Sequence, residues 1–202
     1  DTLDPPPGFD APTRSAFVTL VGRPNVGKSS LINRICGAKV SIVSDKPQTT
    51  RHRVRGVHNS TADGVHTQLV FVDTPGLHKP VSALGERVNA TAIDSVNDAS
   101  DLDVTCLVLD ATKPYGSGDR WVAGHLPMAT TIVVVNKVDR VSRQRVLEQL
   151  AAAAELDAAA YFPLSARTGE GVDAFVAELE SRSVDGPLMF PVEMVRDVPE
   201  EQ

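Results

Sequence analysis

Apolar residues in this chain fall into short runs separated by polar stretches that carry glycine and proline. Residues 15–21 (SAFVTLV), 104–109 (VTCLVL) and 131–135 (TIVVV) are nearly continuous β-branched and apolar runs of strand length. Such runs predict strands buried on both faces, as a parallel sheet requires. Residues 54–58 and 65–72 alternate instead, with Asp63-Gly64 between them as a hairpin turn signal. A short last strand is expected over 161–164. Helical spacing follows the first strand over 30–35, with Gly37 as the terminating glycine. It recurs over 85–97 and 141–154, and over 172–180, where Val172, Phe175, Val176 and Leu179 share a face. A short helix is expected over 119–124. Strands alternating with helices predict an α/β fold: a mostly parallel six-stranded sheet with one antiparallel strand and helices on both faces.

Ligands in such folds bind at the C-terminal ends of the strands, and that is where the polar motifs lie. The first strand runs into Gly22-Arg23-Pro24-Asn25-Val26-Gly27-Lys28-Ser29-Ser30. This matches the spacing G-x-x-x-x-G-K-[ST] between a strand and a helix. Glycines let successive backbone N–H groups curl around an anion, and the helix N-terminus adds a positive dipole end. Lys28 can reach β- and γ-phosphates, and the Ser29 hydroxyl can ligate Mg²⁺. The third predicted strand ends on Asp73-Thr74-Pro75-Gly76-Leu77. Asp73 can hold the shell of the same Mg²⁺, and Gly76 lets its amide approach a γ-phosphate. Asn136-Lys137-Val138-Asp139 ends the fifth. The Asp139 carboxylate can accept from both N1–H and N2–H₂ of guanine, a donor pair that adenine lacks. Asn136 and the Lys137 stem would brace that loop. Ser165, Ala166 and Arg167 end the last strand, where backbone amides can meet the guanine O6. Thr50, or else Thr49, is the hydroxyl expected to join Mg²⁺ when a γ-phosphate is present, ordering the loop 38–53. The catalytic set is then Lys28, Thr50, Asp73 and Gly76.

The 202 residues suit one domain with tails. Residues 1–13, rich in Pro and Asp, are expected to be a disordered tail, 14–183 a GTP-binding domain, and 184–202 a linker. The net charge of −6 and an aromatic content of only 4% argue against strong nucleic-acid binding by these residues, and DNA is not expected as a partner. Cys36 and Cys106 both lie in apolar surroundings and read as buried thiols. No apolar run reaches the ~18–20 residues of a membrane span, and the chain does not open on a signal-peptide layout. A monomer in the cytoplasm is expected.

The order GRPNVGKS, PQTTRHR, DTPGLHKP, NKVD, SARTGEG resembles the GTPase domain of the Era family. GRPNVGKS is shared with the related TrmE and EngA groups, whereas Q-T-T-R-H and D-T-P-G-L-H favour Era. The resemblance spans residues 15–179. It implies the three-layer sandwich of P-loop GTPases, GTP and GDP as ligands, Mg²⁺-dependent hydrolysis, and a role in maturing the small ribosomal subunit and its ribosomal RNA. It also implies peripheral association with the inner face of the cell membrane. RNA contact would belong to a KH domain following the linker, so a chain ending at Gln202 is expected to be a truncation. Ser30 stands where the family more often has Thr.

Leu77 occupies the place where Ras-like switches put a water-orienting Gln. Either another device activates water, or this chain binds guanine nucleotide and hydrolyses it negligibly. An ATP-using enzyme is disfavoured by Asn136–Asp139. Some relatives in the resembling group hold K⁺ beside the phosphates, and Asn25 is the residue that would coordinate it here.

Overall fold

The computed structural model describes residues 11–37, 53–73 and 103–191. The predicted helix over 85–97, and Thr49, Thr50, Thr74, Pro75, Gly76 and Leu77, lie outside the described residues.

Among the described residues seven strands form one sheet: β1 (Thr13–Val21), β2 (Arg53–Ala62), β3 (Val65–Asp73), β4 (Asp103–Asp110), β5 (Ile132–Asn136), β6 (Ala160–Pro163) and β7 (Val184–Asp185). The described helices are α1 (Lys28–Cys36), α2 (Ser117–Ala123), α3 (Arg143–Ala154) and α4 (Val172–Ser181). Strand order is β2-β3-β1-β4-β5-β6, with β7 beside β1. All pairings along that path are parallel except the β2–β3 hairpin at the edge. Asp63 (φ 51°) and Gly64 (φ 77°) make the hairpin turn, both left-handed as a two-residue I′-type connection demands.

Strand periodicity sorts the apolar side chains onto two faces. Val18, Leu20, Cys106, Val108, Ile132 and Val134 pack with Leu31, Ile35, Phe175 and Leu179 of α1 and α4. Their neighbours Val21, Leu107, Leu109, Val133 and Val135 pack with Val122 of α2 and Ala153 of α3. Three layers result, and the parallel strands are buried on both sides. Gly37 closes α1 in the left-handed conformation (φ 78°), its N–H bonded to the Asn33 carbonyl at 3.1 Å. Ser142 caps α3 by accepting from Arg145 N–H.

The sheet has one strand more than the six expected. Opposite β3, β1 pairs with β4 only from Phe17 onward, and β7 takes the free edge upstream at Arg14 and Ser15, antiparallel. An Arg14–Asp185 ion pair at 3.1 Å and a Thr13 hydroxyl bond to Gly186 O at 2.7 Å fasten it. Residues 184–190, the expected start of a linker, therefore lie against the domain. The fully buried Gln68 holds the far end of that segment. Its Oε1 accepts from the amides of Met189 (2.8 Å) and Phe190 (2.9 Å), and its Nε2 donates to Phe190 O (3.0 Å) and Asn59 Oδ1 (2.9 Å). Phe190 then packs on Val54, Val57 and Val70.

Candidate nucleotide-binding site

The strands β1, β3, β4, β5 and β6 run parallel, so their C-terminal ends gather the predicted loops on one rim. The turn after β1 winds through Gly22 (φ 154°), Asn25 (φ 65°) and Gly27 (φ 102°) before α1 starts at Lys28. Two of these positions exclude a side chain. A Cβ on Gly22 would stand 2.5 Å from the Val108 carbonyl of β4, and one on Gly27 would run into the Asn136 amide. Lys28 folds back over the loop, its Nζ donating to Gly22 O (2.8 Å) and Arg23 O (3.0 Å). No side chain caps α1, whose N-terminus is the positive end of the helix dipole; Ser29 and Ser30 are exposed there. Pro24 is exposed and Val26 is buried beneath the loop. Asp73 closes β3, in register one residue past the Thr19–Val72 pair.

Asn136 is the joint of the site. It is 1% exposed. Its Nδ2 donates to Val26 O (2.9 Å), and its Oδ1 accepts from the amides of Lys137 (2.8 Å) and Ala166 (3.0 Å). One side chain thus ties the phosphate loop to the loops after β5 and β6. Lys137, itself left-handed at φ 69°, reaches across to donate to Asn25 O (2.6 Å) and to Asp110 Oδ2 (2.7 Å).

Asp110 ends β4 beside Asn136 and is buried. Burial alone would raise its pKa. Donors from Lys137 and from the Thr112 hydroxyl and amide outweigh that and hold the carboxyl below its ordinary value. Sequence reading did not single out Asp110. Its signal was there: a carboxylate closing an apolar strand, as Asp73 closes another.

Asp139 stands on the short 3₁₀ turn Val138–Arg140 with its side chain 7% exposed. Its Oδ1 accepts from the Ser165 hydroxyl (2.5 Å), and its Oδ2 meets Arg167 Nε (2.8 Å) and Nη2 (2.6 Å). The Ser165 bond first, and the Arg167 guanidinium with it, keep the carboxyl ionised below the usual range against the cost of desolvation. Ser165 is itself buried, and its Oγ accepts from Thr168 N–H (3.1 Å).

Two arginine side chains brace the rim, and of these the sequence singled out Arg23 but not Arg34. Arg34 of α1 donates to the carbonyls of Ala166 (2.9 Å) and Arg167, pinning the last loop to the phosphate-loop helix. Arg23 pairs with buried Asp119 of α2 at 2.9 Å, which ties the short helix before β5 to the phosphate loop. No helix among the described residues is long and apolar enough to cross a membrane.

The family model described as 50S ribosome-binding GTPase matches residues 17–137. GTPase Era of Mycobacterium avium is 43% identical over 198 residues, which cover 93% of this chain and 62% of that protein. GTPase Era of Mycobacterium tuberculosis is 44% identical over 195 residues with the same coverage. Among solved structures, Era in complex with MgGDPNP and a segment of 16S ribosomal RNA aligns at a TM-score of 0.72 with 32% identity, covering 93% of this chain and 63% of that one. An Aquifex aeolicus Era variant bound to GDP and AlF₄⁻ aligns at 0.72 with 34% identity, covering 92% and 62%. The chain spans a little under two thirds of the length of these relatives. The match over more than half of its residues, on a P-loop GTPase fold with the loops after β1, β5 and β6 joined through Asn136, places the chain in the 50S ribosome-binding GTPase family, with Era GTPases as its relatives.

Proposed function

We propose that this chain is the guanine-nucleotide-binding and GTP-hydrolysing part of an Era-type switch, acting in maturation of the small ribosomal subunit. The observation that carries the reading is the Asn136 joint, which ties the loop that carries Asp139 to the loop before Lys28 and the N-terminus of α1. The loop after β1 receives the phosphates, and Asp139 reads the base. Ser29, exposed in the first turn of α1, and Asp73, at the end of β3, are oxygen donors of the kind Mg²⁺ takes, so the residues fit that ion. Thr50 would join them in the triphosphate state. When bound, Mg²⁺ draws charge from the transferring phosphoryl group. Lys28 would neutralise the β/γ oxygens, and Gly76, outside the described residues, is the residue whose amide the sequence offers to the γ-phosphate.

Asn25, exposed in the phosphate loop, is the residue we assign to K⁺ beside the phosphates, in the place of an arginine finger. The solved Era complex with 16S ribosomal RNA supports a ribosomal RNA partner, and the net charge of −6 argues against these residues being its main contact. A cytoplasmic monomer, in peripheral contact with the inner face of the cell membrane, completes the reading.

Steady-state phosphate release from GTP and from ATP tests it. Release from GTP alone is expected. Equal release from both would overturn base reading, and tight GDP binding without release would make the chain a binding module only, as Leu77 would then explain. Asp139→Asn should move preference from GTP toward xanthosine triphosphate by roughly ten- to a hundredfold, since a hydrogen bond to a charged group is worth ~1.5–3 kcal/mol.

A further inference from the structure

The carboxylate that reads the base is already occupied by a group of guanine's own kind. Nε and Nη2 of Arg167 converge on Asp139 Oδ2 at 2.8 and 2.6 Å, and the Ser165 hydroxyl holds Oδ1 at 2.5 Å. A carboxylate offers about four lone-pair sites, and three are taken. Guanine needs two of them, for N1–H and N2–H₂. Ser165 is buried and its hydroxyl is held by the Thr168 amide, whereas the Arg167 side chain is 73% exposed and free to swing into water. Arg167 is therefore the donor that must leave. The likeness is chemical: the N1–C2–N2 unit of guanine is a guanidine, and it presents parallel N–H donors to a carboxylate as arginine does. The backbone at Arg167 stays in place meanwhile, because Arg34 holds its carbonyl.

We propose that Arg167 is a built-in competitor for the guanine subsite, whose guanidinium occupies Asp139 until the base displaces it, so that it lowers guanine-nucleotide affinity and rejects bases that cannot replace its donors. This rests on Asp139 reading guanine. A ligand that binds only the open fraction of a site shows its intrinsic dissociation constant divided by that fraction. For a partly exposed, two-nitrogen contact the closed fraction predicts a weakening of about three- to tenfold.

The test is a double-mutant cycle on the 202-residue chain, using fluorescent-labelled GDP and XDP. Arg167→Ala should bind GDP about three- to tenfold more tightly, mostly through faster association, because the free site no longer has to open. Arg167→Lys, with a single point donor, should fall between the two. In the Asp139→Asn background, XDP affinity should be the same with Arg167 or Ala at that position. Weaker or unchanged GDP binding by Arg167→Ala would overturn the proposal, as would an equal effect of that substitution in both backgrounds. Failure of Asp139→Asn to gain XDP binding would instead overturn base reading by Asp139. Circular dichroism of each variant separates these outcomes from misfolding.

Discussion

Removing the Asn136 side chain should damage fold and site together, by an amount the structure allows one to work out. Asn136→Ala deletes an acceptor for Ala166 N–H and a donor to Val26 O, both on residues at most 6% exposed. A buried polar group left without its partner costs ~1–3 kcal/mol, so these two sum to roughly 2–6 kcal/mol. The bond from Lys137 N–H adds little, because Lys137 is half-buried and water can replace the acceptor. The amide also fills the space above Gly27, so its loss leaves a gap under the phosphate loop. A central value of ~4 kcal/mol is a large share of the ~5–15 kcal/mol that holds a domain together. Urea unfolding followed by circular dichroism measures it, as a lowered midpoint with an unchanged slope. GDP titration of the folded variant should show affinity for both halves of the nucleotide reduced, since the phosphate loop loses its anchor as the base loop does. A stability loss below about 0.5 kcal/mol would refute the reasoning, for it would mean that the two orphaned groups find water or other partners.

Gln68→Leu should free residues 187–190 from the sheet. Four hydrogen bonds go at once, and the expected outcome is a loss of ~2–4 kcal/mol with new amide exchange at Met189 and Phe190; protected amides there would count against it. Asp110→Asn should flatten the acid limb of the stability profile. The native carboxyl titrates below its ordinary value, so its contribution is complete above about pH 4 and fades as pH falls through the native pKa. Urea midpoints between pH 6 and pH 3 should therefore converge for the two proteins at the acid end. Hydrolysis should be faster in K⁺ than in Na⁺ at equal ionic strength, and Asn25→Ala should erase the difference; equal wild-type rates would remove K⁺ from the site.

Period and motif made most of this molecule legible. The two-faced runs at 104–109 and 131–135 could only be inner strands, and Asp63-Gly64 could only be a tight turn. The residues ending strands β1 and β5 were readable because their chemistry is local: a glycine loop before a helix, an Asn-Lys-x-Asp after a strand. What escaped was what depends on neighbours far along the chain. β7 is two residues long and has no pattern of its own; it exists because β1 begins before β4 does. Arg34 and Asp119 look like ordinary helix-surface residues until the fold brings them to Ala166 and Arg23, partners 132 and 96 positions away. Arg167 was read for its backbone amide, and only the geometry showed its side chain on Asp139.

The distribution of buried polar groups explains why an apolar sandwich of this kind holds a fixed site. Val, Leu and Ile on both faces of the sheet drive the layers together, but a valine slides past a valine at little cost, so apolar packing alone sets registry loosely. Asn136, Ser165, Asp110 and Asp119 are buried at the C-terminal rim, and each has a partner on a different element. Displacing β5 along β4 would break Lys137 from Asp110 and Asn136 from Val26 in the same movement. Gln68 does for residues 187–190 what Asn136 does for the loops, on the edge hairpin rather than the rim. Polar groups of this sort add modest net stability when satisfied and cost several times that when they are not. Their effect is therefore to penalise every arrangement but one, and the penalty is greatest at two places: the loop after β1, held by Asn136, and residues 187–190, held by Gln68.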